Sequence, residues 1–303
     1  MSARIGITLS TPHLEHLKIP LHEALSSAFS FNFSHIRLGA YWSHIEKRSG
    51  DYDFSELTQV LQLCEEQKQK IVMTVGAKAP RWPEFYWPPF VTKDLVNSQT
   101  QEQLFSFIRE TIMTLQGFNC ITHWQVENEP LDPSGPEQLA ISAELLQREI
   151  ELVRSLDSRP IMVNVWGNDM LQRNLLPVAE ELADIVGLDI YYKQFMQQVM
   201  QRSYYLGPRH TEKMLKNTLS HCAKPIWIAE LQAEPWEKNE TDYLSDNPGS
   251  MHPLFLRKNI VKAQRLPIQE ILLWGFEYWL YRVNKHDRTY VELVKEVVAR
   301  YNT

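Results

Sequence analysis

Residues 121–130 read ITHWQVENEP, a run that starts as an apolar strand and closes on Glu127, Asn128 and Glu129 before Pro130. Proline has no amide hydrogen to give a ladder and restricts the residue ahead of it, so the strand ends here. A buried strand that finishes on carboxylates and an amide sets ionisable groups at a rim. They belong either to a solvated loop or to chemistry, and the rest of the chain has to separate the two.

Runs of the same kind recur eight times: ARIGITL (3–9), HIRLGA (35–40), KIVMTVGA (70–77), ITHWQVEN (121–128), PIMVNVWG (160–167), DIVGLDIYY (184–192), PIWIAEL (225–231) and ILLWGF (271–276). They are apolar without alternation, which marks strands buried on both faces, the condition of a parallel sheet. Between them, FSELTQVLQLCEEQKQK (54–70), QEQLFSFIRETIMTLQG (101–117) and PEQLAISAELLQREIELVRSLD (136–157) place apolar residues at i, i+3, i+4 and i+7. These read as helices covering the sheet. Strand–helix alternation repeated eight times predicts the α/β class and a (β/α)8 TIM barrel, with residues 1–303 as a single domain because no linker or composition shift divides them. An open doubly wound sheet would carry GxGxxG or GxxxxGK[ST] after its first strand, and neither is present.

Hydrophobic residues make up 44% of the chain and charged residues 22%, which is globular rather than disordered or fibrous. The formal charge of -6, without a basic cluster, argues against a nucleic-acid partner. Cys64, Cys120 and Cys222 are odd in number and lack CxxC spacing, so neither a disulfide framework nor a zinc site is indicated. No metal or cofactor is expected. No apolar run is long enough to cross a bilayer, and MSARIGITLS lacks the basic and apolar regions of a secretory signal. The expectation is a soluble cytoplasmic protein, or a secreted one if a signal has been removed. The pair of histidines in HLEH (13–16) has helical spacing but no third ligand.

In parallel barrels chemistry sits at the C-terminal strand ends. There the chain sets Arg37 and Trp42 at the second run, Arg81, Trp82 and Trp87 after the third, and Asn128 and Glu129 at the fourth. Trp166 and Asn168 close the fifth, Tyr191 the sixth, Glu230 and Trp236 the seventh, and Trp274, Glu277 and Trp279 the eighth. Aromatic faces mixed with carboxylates and amides suit a carbohydrate, whose C–H faces pack on rings while its hydroxyls need charged or amide partners. Core packing is the competing reading for any one tryptophan. Glu129 and Glu230, on the fourth and seventh runs, would stand across a closed mouth from each other, and alternation with Ile226 and Ile228 turns Glu230 inward. Glycoside hydrolysis uses such a pair, one as acid and one as nucleophile or base.

VENEP (126–130) resembles the Asn-Glu-Pro signature of the clan A glycoside hydrolases, the retaining (β/α)8 glycosidases that include cellulase-, mannanase- and β-galactosidase-like enzymes. WIAELQAEPW (227–236) is similar to their nucleophile segment, and HIRLGAYWSHIEKRSGDYDF (35–54), KAPRWP (78–83) and LLWGFEYW (272–279) extend the likeness over most of the barrel. The resemblance implies Glu129 as acid/base and Glu230 as nucleophile. It further implies that Asn128 binds the sugar 2-hydroxyl, Arg37 keeps Glu230 ionised, Tyr191 donates to Glu230, and Trp274 or Trp279 floors the cleaved sugar, with Trp42, Trp82 and Trp236 as further aromatic contacts. Strand six reads Asp189-Ile190-Tyr191 where family-five-like members show His-x-Tyr, and GAKAPRWP (76–83) replaces their His pair, so the likeness is to the clan. Glu127 and Glu234 read as charges behind the site or on the surface, and Trp166 and Asn168 as loop structure. The function expected is a retaining β-glycosidase acting on a carbohydrate substrate. A non-catalytic carbohydrate-binding barrel and a transglycosylase using the same residues are the alternatives.

Overall fold

A computed structural model describes residues 2–200 and 202–302. Eight strands, β1 (Arg4–Thr8), β2 (Ile36–Gly39), β3 (Ile71–Val75), β4 (Ile121–Val126), β5 (Ile161–Trp166), β6 (Ile185–Ile190), β7 (Ile226–Gln232) and β8 (Glu270–Trp274), neighbour one another in chain order, and β8 returns to β1 to close a barrel. The pairings are parallel, as in Ile36↔Ile71 of β2 and β3 and Ile5↔Ile271 of β1 and β8. Every residue of β3, β6, β7 and β8 is buried, which is why their sequences show no alternation. The chain groups into two compact units, each gathered from separate stretches. One holds Met1–Ser34, Trp166–Asn174 and Gly187–Thr303, the other His35–Val165 and Leu175–Val186.

All eight expected strands form, each within two residues of its expected bounds. They end early where the backbone turns left-handed: Gly76 (φ +136°) after β3, Glu127 and Glu129 (φ +62° and +44°) after β4, and Gly275 (φ +137°) after β8. The ladder stops there and side chains take over the hydrogen bonding.

The helices follow the apolar periodicity, with one correction. Ser55–Glu66 and Ser98–Leu115 lie within or close to their expected spans, the latter capped by Asn97, whose side chain accepts from Gln99 N and Thr100 N. The segment read as one helix over 136–157 is helical only from Ala143 to Leu156. Ser142 caps it by accepting from Leu145 N, and the residues before fold back: Ser134 and Leu139 exchange backbone hydrogen bonds, and Ile141 N donates to Pro130 O. An antiparallel hairpin, Gln194–Val199 with Arg202–Leu206, was not anticipated. Among the described residues no helix is long and apolar enough to cross a membrane.

Candidate active site

Residues of β2, β4 and β5, with Asn128 of the turn after β4, form a closed polar ring. Arg37 donates through Nε to Gln125 Oε1 (2.7 Å) and through Nη2 to Asn128 Oδ1, Gln125 Nε2 donates to Asn164 Oδ1 (2.9 Å), and Asn164 Nδ2 returns to Asn128 Oδ1 (2.9 Å). All four side chains are buried. Polar groups survive in such an interior only when partnered, and here each partners the next. The ring also grips the backbone: Asn164 Oδ1 accepts from Glu129 N and Gln125 Nε2 donates to Glu127 O. With Oδ1 of Asn128 holding two donors, the orientation of its amide is fixed. Its NH2 is the part left for a ligand among the described residues.

Glu129 sits on the left-handed turn that follows, 8% exposed. Its carbonyl accepts from Lys78 Nζ (2.7 Å) and from Asp132 N (3.1 Å). Lys78 is fully buried, donates also to Asp132 O, and lies 3.4 Å from Glu84, so a cation under the turn ties the loops after β3 and β4 together.

In the other unit, Glu230 of β7 is buried and accepts the hydroxyl of Tyr191 at 2.6 Å. Tyr191 follows β6 directly, and Asn168 clamps its backbone, accepting from Tyr191 N and donating to Tyr191 O. The Tyr191 ring stacks on Trp166 (centroids 5.2 Å apart) and meets Trp236 edge-on at 5.1 Å. Trp236 is 43% exposed, which makes it the open face of this aromatic corner. Its N–H donates to Ser250 Oγ and its carbonyl accepts from Phe195 N, so the hairpin after β6 holds it in place. Further along the same loop Glu234 accepts from Tyr243 OH, itself in hydrogen-bond contact with His13 Nε2. This is where the HLEH segment joins the site region.

The register between β7 and β8 shifts between Ile228 and Leu231, across Glu230. Simple alternation with Ile226 and Ile228 therefore does not carry to Glu230, whose position is set by the irregularity and by Tyr191.

Of the expected site residues, the structure brings Arg37, Asn128 and Glu129 together in one unit, and Tyr191, Glu230 and Trp236 in the other. Trp42 does not join them. It is fully buried, stacks on Phe107 at 5.4 Å and donates to Glu46, so both its faces and its N–H are used in packing. Trp279 is likewise fully buried, its N–H given to Ala233 O, whereas Trp274, 7% exposed, keeps an edge open. Of the two, Trp274 is the one with exposed surface. Trp82 is exposed, on the loop after β3. Gln125, Asn164, Lys78 and Trp166 were not singled out as site residues. The signal for Gln125 and Asn164 was present, since a lone amide inside an otherwise apolar strand run has to find a partner.

No family model matches the chain, and no curated protein matches it. Among solved structures, GH5_18 from Streptomyces cattleya in complex with GlcNAc covers 100% of this chain with 81% of its own, at a TM-score of 0.71 and 13% identity. The exo-β-1,4-mannosidase Op5Man5 from Opitutaceae bacterium strain TAV5 covers 99% with 60% of its own, at a TM-score of 0.67 and 14% identity. A family 10 endo-β-1,4-xylanase from Gloeophyllum trabeum covers 90% with 84% of its own, at a TM-score of 0.58 and 16% identity. At these identities the likeness establishes the fold, a closed (β/α)8 barrel.

Proposed function

We propose that the chain is a retaining β-glycosidase acting as one catalytic domain, with Glu230 as nucleophile and Glu129 as acid/base. The observation that carries this reading is that two buried glutamates close the fourth and seventh strands of one closed parallel barrel. In the first step the Glu230 carboxylate attacks the anomeric carbon while Glu129 gives its proton to the leaving oxygen. In the second, Glu129 takes a proton from water, and that water releases the sugar from Glu230. The Tyr191 hydroxyl donates to Glu230 at 2.6 Å and aims one of its oxygens. Asn128, its Oδ1 fixed by Arg37 and Asn164, offers its NH2 to the sugar 2-hydroxyl. Trp236, Trp166 and Trp274 supply stacking faces.

Mannosides lead the substrate panel. The neighbours include the exo-β-1,4-mannosidase, and a variant of the Streptomyces cattleya protein in complex with Manβ1-4GlcNAc. The test is a 2-fluoro glycoside trapping reagent followed by peptide mapping, run beside a screen of aryl β-glycosides. A covalent adduct on Glu230 is expected, with turnover abolished in Glu230→Ala. Binding of sugars without adduct or turnover overturns the reading and leaves a carbohydrate-binding barrel, and near wild-type turnover in Glu230→Ala removes the mechanism.

A further inference from the structure

Beside Asn128 lies a pair of carboxyls that the proposed reaction does not touch. Glu127 and Glu149 are both fully buried. Glu127 accepts the backbone N–H of Ala77 through one oxygen (2.8 Å) and that of Lys78 through the other (2.5 Å). Its own N–H donates to Val75 O and the next, of Asn128, to Lys78 O, so side chain and backbone together fasten the turn after β3 to the turn after β4. The fit depends on Gly76, where a Cβ would stand 2.2 Å from the Glu127 carboxyl carbon. Glu149 comes from the Ala143–Leu156 helix to face Glu127. Both its oxygens are buried, and neither receives a hydrogen bond from a donor group among the described residues.

Two adjacent carboxylates in a dry interior do not both carry charge. Two backbone donors and the Lys78 ammonium favour the charge on Glu127, while Glu149 has only the cation of its chain neighbour Arg148. Glu84 faces Lys78 on the far side of the same loop. A neutral Glu149 carries its own donor, which accounts for the lack of one from elsewhere. We propose that Glu127 and Glu149 hold a single proton, donated by Glu149 to the Glu127 carboxylate, and that this pair is a positioning device locking the turn after β3 against Asn128 and Glu129. Only its kinetic consequence rests on the glycosidase reading.

Burial, and then the charge of Glu127, push Glu149 well above the ordinary carboxyl range, and burial pushes Glu127 up to about 7. The unfolded chain releases both protons near the ordinary value of 4.5, whereas the folded chain keeps that of Glu127 to about 7 and that of Glu149 beyond, so the pair holds its single proton at neutral pH and above. Stability is therefore greatest below that value. It falls with rising pH by about tenfold in the folding constant per pH unit for each retained proton, until the folded pair lets go.

The experiment is urea unfolding of wild type, Glu149→Gln and Glu149→Ala across mildly acidic to neutral pH, with infrared absorption of the wild type. In Glu149→Gln an amide N–H replaces the acid O–H. It is expected to fold well and to show a pH slope shallower by one proton, about tenfold less per pH unit. Glu149→Ala, without a donor, is expected to be shallower in slope but clearly less stable. The wild type at neutral pH should show the carbonyl band of a protonated carboxylic acid that Glu149→Gln lacks. Because Glu129 also carries a proton in the proposed reaction, the band is read in Glu129→Gln as well: equal slopes in wild type and Glu149→Gln, or no such band in Glu129→Gln, overturn the proposal, and the band decides it even if a Glu149 variant fails to fold. None of these measurements uses substrate, so a chain that hydrolyses nothing loses the glycosidase reading and keeps the pair. If the chain does hydrolyse glycosides, Glu149→Ala should lower kcat with KM unchanged, whereas a loss confined to stability overturns the positioning role.

Discussion

A hydroxyl at 2.6 Å from a buried carboxylate, as Tyr191 stands to Glu230, does two things at once: it stabilises charge and restricts rotation. Removing it in Tyr191→Phe takes away a hydrogen bond to a charged group, worth about 1.5–3 kcal/mol, so kcat/KM for an aryl β-glycoside should fall by about tenfold to a hundredfold. A fall under twofold would show that the hydroxyl does not matter to Glu230. Glu129 is tested differently, because its proton is needed only when the leaving group is a poor one. Glu129→Ala should slow an alkyl or sugar leaving group far more than a strongly acidic phenol in the glycosylation step, and equal losses on both would take the acid role from it. The sequence singles these residues out as candidates because a glutamate at a buried strand end has few structural uses. It did not show the fate of the tryptophans. Standing just after a strand says that a ring is near the rim but not which way it turns, and Trp42 and Trp279 turn into the packing.

At the scale of elements, the loops after β3 and β4 behave as one piece. Glu127 reaches across to Ala77 and Lys78, Lys78 reaches back to the carbonyls of Glu129 and Asp132, and the Arg37–Gln125–Asn164–Asn128 ring closes beneath them. Gly76→Ala would force a methyl into the Glu127 carboxyl at a φ of +136°, a conformation nearly closed to other residues. It should cost about 3 kcal/mol or more, read as a lower urea midpoint, and a wild-type midpoint would show that the clamp gives way freely. Asn164→Ala strips partners from Gln125 Nε2, Glu129 N and Asn128 Oδ1 together. Gln125 Nε2 keeps Glu127 O and Asn128 Oδ1 keeps Arg37 Nη2, so Glu129 N is the group left unsatisfied; a loss of about 1–3 kcal/mol is expected, with kcat falling as well because Glu129 loses its anchor and Asn128 one of its two. Little of this could be read in advance. The apolar periods locate strands and helices, but the start of a helix at Ala143 depends on the Ser142 cap, and a shift of register at Glu230 leaves no mark in a run as apolar as PIWIAEL. The clamp itself joins residues far apart in the chain, and only folding reveals it.

For the whole molecule, the eight-fold alternation was the most legible feature, since each strand–helix repeat is a local pattern and closure follows from their number and parallel direction. The division into two compact units was not legible, because each is assembled from segments separated in the chain. The barrel does carry a stereochemical consequence for the proposed reaction. In the proposed reaction Glu129 follows β4 and Glu230 lies in β7, both strands of one closed parallel barrel. Retention requires their carboxyl groups about 5–5.5 Å apart, close enough for one to attack carbon while the other protonates oxygen; inversion requires about 6.5–9.5 Å to admit a water between base and sugar. With the Tyr191 hydroxyl donating to Glu230, attack by a Glu230 oxygen is the expected first step, and two displacements restore the starting configuration. Proton NMR of a β-glycoside during its first minutes of hydrolysis should therefore show the β-anomer of the released sugar before mutarotation produces the α-anomer. Appearance of the α-anomer first would mean that water, not Glu230, attacks the sugar, and the nucleophile assignment would fall while the barrel stood.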